Sequence, residues 1–168
     1  MRSARQRRGC PVATLPCVTG DAVFDDVVIG RLVHQYCDAV CSGDVDGWVS
    51  TWCDDGVWNI GRGPVQGRDA IRTAYERAIG LFASVNQISL NGSADLDHEE
   101  GTGTGRWYMA EYGRTNSGQD LFYLGTYDDA YARGDDGQWR FAARTLTWRY
   151  HGPPDLSGIF GPPPGYVT

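Results

Sequence analysis

The sequence predicts an α+β domain, with three helices leading into a long antiparallel meander. The first observation behind this is a change of period. Ile29, Leu32, Val33, Tyr36, Cys37 and Val40 recur at helical spacing, whereas beyond about residue 84 the chain alternates with the period of two that marks strands. The second is turn chemistry. Asn116-Ser117-Gly118 and Asp135-Asp136-Gly137 cut the later half into strands of hairpin length. The third is continuity, because no repeat or internal linker divides the 168 residues.

Each element has a local reason. The first helix is expected from about Asp25 to Cys41, with Asp25 and Asp26 at its positive end and Ser42-Gly43 stopping it. Asp44 can cap a short second helix that carries Trp48 and Trp52. Val57–Ile60 reads as a first strand, closed by a turn at Gly61–Pro64. A third helix runs from Arg68 to about Ile79 and aligns Ile71, Ala74, Tyr75 and Ala78 on one face. Strands follow at Val85–Leu90, Gly101–Arg114, Leu121–Arg133 and Gln138–Tyr150, and the remainder to Thr168 is a proline-rich extended tail. Residues 1–20 begin with four arginines before Gly9 and continue into a weakly apolar stretch broken by Pro11 and Pro16. They read as a disordered N-terminal tail rather than a signal peptide, which leaves residues 21–168 as a single domain.

Composition removes several function classes. There are 21 acidic residues against 15 basic ones, every basic residue is arginine, and the net charge is −6. Nucleic acid is therefore not an expected partner. No apolar run approaches the roughly 20 residues of a membrane helix, so no membrane partner and a cytoplasmic location are expected. Five cysteines with no CxxC pair indicate neither a disulfide framework nor a zinc site. His34, His98 and His151 follow no metal-ligand spacing, so no metal and no cofactor are expected. The glycine-rich run Gly101–Gly105 lacks lysine and leads into a strand, which argues against a phosphate loop.

Helices first and a curved sheet after them resemble the cone-shaped fold of ketosteroid isomerase, scytalone dehydratase and SnoaL-like polyketide cyclases. Particular segments sharpen the resemblance. Trp52-Cys53-Asp54-Asp55-Gly56-Val57-Trp58, Gly125-Thr126-Tyr127 through Tyr131, and Asp136-Gly137-Gln138-Trp139-Arg140-Phe141 are similar to the hexachlorocyclohexane dehydrochlorinase branch. The resemblance implies three helices packed on a strongly curved, mostly antiparallel sheet, and a homotrimer or other homo-oligomer formed through the outer sheet face. Tyr108, Tyr112, Tyr123 and Tyr131 would supply aromatic surface there. In that branch and in the related bile-acid dehydratases a His–Asp pair abstracts a proton. Alignment puts the Asp position on Cys41 and the His position on Phe82, so both members are replaced here. The resemblance further implies pocket roles for Tyr36, Asp129 and Arg144, and wall positions for Trp107, Met109, Tyr127, Leu146 and Trp148.

Read from the residues, each candidate keeps two readings. Cys41 is a core thiol or a reactive one, and a helix C-terminus raises rather than lowers a thiol pKa. Tyr36 lies on the apolar face of its helix, as core or as a pocket hydrogen-bond donor. Glu111 shares a strand face with Trp107 and Met109. It is a desolvated acid or base if that face lines a cavity, and a solvated carboxylate if the register slips by one. Asp129 and Arg144 form an interior pair or a surface pair. Trp48, Trp52, Trp58 and Trp139 are expected in the core, His34 at the surface, and His98 and His151 without evident partners. The function expected is a cofactor-free lyase, isomerase or cyclase acting by proton transfer on a small hydrophobic, ring-containing molecule. The rival is a non-catalytic binding protein of the same fold, and polar side chains converging in one cavity would separate the two.

Overall fold

The computed structural model describes residues 20–161. Three helices, α1 (Gly20–Ser42), α2 (Val45–Ser50) and α3 (Arg68–Ile79), alternate with and precede seven strands. These are β1 (Trp52–Asn59), β2 (Pro64–Gln66), β3 (Phe82–Asp97), β4 (Thr102–Thr115), β5 (Asp120–Arg133), β6 (Trp139–Gly152) and β7 (Ile159–Phe160). They form one sheet in the order β2-β1-β6-β5-β4-β3, with β7 on β6. The pairing is antiparallel except between β1 and β6. The architecture is thus the α+β, mostly antiparallel arrangement expected from the change of period.

Helix α1 lays its apolar stripe on the sheet. Ile29, Leu32, Val33, Tyr36, Cys37 and Val40 are all buried, each large apolar side chain contributing roughly 1.5–3 kcal/mol. Its polar residues satisfy the edge strand β3, whose outer backbone groups have no strand partner. Asp26 Oδ1 accepts the Ala94 N–H at 2.9 Å and Asp25 Oδ2 accepts the Leu96 N–H at 3.3 Å. His98 does have a partner: its Nε2 lies 2.5 Å from Asp25 Oδ1, and its ring meets Trp139. Asp44 caps α2 through Gly47 N–H, as its position predicts. Trp48 stacks on Tyr75 of α3 at 3.9 Å and joins Trp52 and Trp58 in the core.

Several differences from expectation have local causes. Trp52, expected on the second helix, is the first residue of β1. The α1 helix starts at Gly20, five residues before Asp25, and residues 1–19 of the expected tail lie outside the described residues. The turn after β1 contains a short strand of its own, β2, paired with β1. Strand β3 does not stop at Leu90 but continues through a bulge opposite Met109 and Trp107. Gly92 permits this, since a Cβ there would lie 2.5 Å from the Trp107 ring and from the Arg106 carbonyl. The tyrosines expected on the outer face also divide. Tyr112 is exposed, but Tyr131 is buried and Tyr123 faces the cavity described below.

At the middle of the sheet, Arg144 and Asp129 face each other across β5 and β6 with side chains wholly buried. Arg144 Nε and Nη2 donate to the two Asp129 oxygens at 2.9 and 2.8 Å. Tyr131 donates to Asp129 at 2.9 Å and itself accepts from Trp107 Nε1 at 3.0 Å. The guanidinium carbon lies 4.4, 4.0 and 4.0 Å from the ring centroids of Tyr36, Tyr127 and Phe141. Arg144→Met leaves the Asp129 charge buried without its cation and is expected to cost about 3–5 kcal/mol in urea denaturation. Adding Asp129→Leu to that variant is expected to recover a large part of the loss.

Candidate active site

A cavity of about 520 Å³ opens between the sheet face and the ends of α1 and α3. Met109, Tyr127 and Leu146, one from each of β4, β5 and β6, pack together as part of its wall. Phe82, Trp148, Ile60 and Trp58 add further apolar wall. The polar side chains brought to it include Tyr36, Tyr75, Gln87, Glu111, Tyr123, Tyr127 and His151, with Arg62 and Thr115 also lining it.

Glu111 is inside, which settles the strand register in favour of the cavity. Burial holds its carboxyl above the usual glutamate value, and the opposing influence is one hydrogen bond from Gln87 Nε2 at 2.7 Å. Gln87 is itself fixed on both sides. Its Oε1 accepts from the Cys37 thiol at 3.5 Å, and its backbone N–H points at Cys41 Sγ at 3.2 Å. Burial pushes the Cys37 thiol up to about 11, so it is protonated and can donate. Burial likewise pushes the Tyr36 phenol up to about 12, against the lowering pull of Arg144. The rings of Tyr36 and Tyr127 meet edge to face at 6.2 Å. Each phenol carries one hydroxyl proton that can be donated to a ligand.

Tyr36, Glu111, Phe82, Met109, Tyr127, Leu146 and Trp148 therefore meet at one cavity as expected. Four expected residues do not. Cys41 is exposed, and its thiol is spent on the backbone of β3, also lying 3.4 Å from the Gln87 carbonyl. Trp107 has the expected strand face, but α1 covers that end: the indole packs toward Gly30 and bonds Tyr131. Asp129 and Arg144 are interior yet screened from the cavity by the rings of Tyr36 and Tyr127. The side chain that reaches in beside the end of α1 is Gln87, not Phe82. Gln87 carries no functional signal in sequence, because a lone glutamine in an alternating strand reads as its solvent face. Tyr75 carried only a core signal, and His151 looked like the start of a tail.

A model of the SnoaL-like domain matches residues 22–145. The chain belongs to that family. The comparison with curated proteins finds no match. Among solved structures, a scytalone dehydratase-like protein from Novosphingobium aromaticivorans is 21% identical, covers 89% of this chain and 100% of its own, and superposes with a TM-score of 0.74. The dehydrochlorinase LinA is similar at 25% identity, with coverage of 86% and 97% and a TM-score of 0.70. A third, hexachlorocyclohexane dehydrochlorinase LinA-type3 from Novosphingobium barchaimii, gives 21%, 86%, 98% and 0.69. What this SnoaL-like chain shares with them is the fold. Among its described residues no three His, Cys, Asp or Glu side chains converge as metal ligands, and no helix is long and apolar enough to cross a membrane.

The raised carboxyl of Glu111 fixes the sign of a pH effect. Its folded pKa lies above the unfolded one, so the stability it confers is complete below about 4.5 and is lost as pH rises through the folded value. Glu111→Gln removes that loss. The variant is expected to melt higher than wild type at about pH 8 and to gain nothing at about pH 4, in paired calorimetric scans.

Proposed function

We propose that this SnoaL-like protein is a cofactor-free lyase, isomerase or cyclase of the cytoplasm, acting by proton transfer on a small hydrophobic molecule that contains a ring. The observation that carries the reading is Glu111: a carboxyl held by Gln87 within an aromatic-walled cavity, its pKa raised by burial. A carboxylate with a raised pKa is a better base near neutral pH and, once protonated, a competent acid. The sheet closes around the ring as a cone, and Met109, Tyr127, Leu146 and Trp148 keep water from it. A hydroxyl proton from Tyr36 or Tyr127, both on the cavity wall, stabilises the oxygen on which negative charge develops. Asp129 and Arg144 act behind this wall, holding the two tyrosines in place. The chain assembles as a homo-oligomer through its outer sheet face, where Ile88, Leu90 and Tyr112 are exposed.

The test is hydrogen–deuterium exchange next to the carbonyl of bicyclic ketones such as tetralone, followed by NMR in heavy water. Wild type is expected to accelerate exchange, and Glu111→Gln to lose about 10²–10⁴-fold of it. Gln87→Leu removes the bond that favours the charged carboxylate, so its pH–rate profile is expected to move to higher pH. A ligand bound in the cavity without any exchange would instead mark a binding protein.

A further inference from the structure

The rim of the cavity holds a cation that proton transfer at Glu111 does not use. Arg62 lies on the β1–β2 turn between Gly61 and Gly63, whose φ values of 89° and 97° favour glycine. The turn is anchored: Asn59 Oδ1 accepts the Gly61 N–H at 3.0 Å, and Trp148 Nε1 donates to the Ile60 carbonyl at 3.4 Å. Six other arginines of the described residues are engaged by carboxylates: Arg68, Arg72, Arg106, Arg114, Arg140 and Arg144. Arg62 lines the cavity and has no hydrogen bond or ion pair among the described residues. Its charge bears on the Tyr123 hydroxyl, and Tyr123 is the cross-strand neighbour of Glu111. The order along the wall is thus Arg62, Tyr123, Glu111.

Resting on the reading of this cavity as a ring-binding site, we infer that Arg62 makes it selective for a ring compound bearing a carboxylate. The ring lies against Tyr123 and Trp148, whose own rings pack together at 5.1 Å, while the carboxylate stays at the wetter rim. A guanidinium is suited to this task. It is always charged, weakly hydrated, and can donate two parallel hydrogen bonds to one carboxylate. The raised pKa of Glu111 reduces the repulsion that a second carboxylate nearby would otherwise meet. The site therefore sorts its ligands by charge at one end and by shape at the other.

The test is calorimetric titration of the full chain with naphthoate and with its uncharged analogue naphthamide, at low salt. Wild type is expected to prefer the carboxylate by about tenfold or more. Arg62→Gln should bring that preference close to unity with naphthamide affinity unchanged, and Arg62→Glu should reverse it. Raising the salt to about 0.5 M should weaken naphthoate binding alone. Equal affinities in wild type, or a preference that survives in Arg62→Gln, would overturn the role of Arg62 and leave the ring-binding cavity standing. Failure of both compounds to bind would overturn the cavity reading itself, and the selectivity with it.

Discussion

One fully buried ion pair organises the inner half of this protein. Neither Asp129 nor Arg144 has any exposed side chain, so every remaining bonding need must be met by protein. Two guanidinium nitrogens go to the carboxylate, while Nη1 has no hydrogen-bond acceptor. The rings of Tyr36, Tyr127 and Phe141 supply negative faces around the cation in place of that acceptor. The anion in turn needs Tyr131, and Tyr131 needs Trp107, whose indole fits because Gly30 leaves room on α1. Two of the caging rings are also cavity wall. The position of the wall is thus a consequence of how the charge is satisfied.

Helix α1 reconciles two further demands. Its stripe must cover the sheet, and the free edge of β3 must not be left unpaired. Asp25, Asp26 and Cys41 lie off the stripe and meet that edge at Leu96, Ala94 and Gln87. The contact at Cys41 has a consequence for chemistry. Holding the backbone of Gln87 from outside directs its side chain inward, where Cys37 and Glu111 take its two polar ends. The Cys41 thiol, neither reactive group nor plain core, is a clamp on the strand that carries Gln87.

Most of the fold was legible because it rests on period. The stripe of α1, the Asp44 cap and the hairpin turns are local signals, and each element they predicted exists. Strand alternation also put Met109 and Glu111 on one face, and the structure turns that face to the cavity. Alternation could not say what covers that face at each point. Trp107 has the same parity as Met109, yet α1 seals one and leaves the other open. Gln87 and Arg62 were illegible for a related reason. Their roles depend on which elements converge in space, whereas the sequence shows only a polar residue on a strand and an arginine in a glycine turn.

The separation of charges also accounts for the raised pKa of Glu111. A carboxyl beside a bare guanidinium has a depressed pKa and little affinity for a proton. Arg144 belongs to the same sheet face and could serve as such a counter-ion. Asp129 occupies it with two hydrogen bonds, and the rings of Tyr36 and Tyr127 stand between it and the cavity. Glu111 is left with a neutral amide as its partner, so burial dominates and its pKa rises. The buried pair and the cavity acid are therefore one arrangement: by consuming the cation internally, Asp129 leaves burial to raise the pKa of the Glu111 carboxyl.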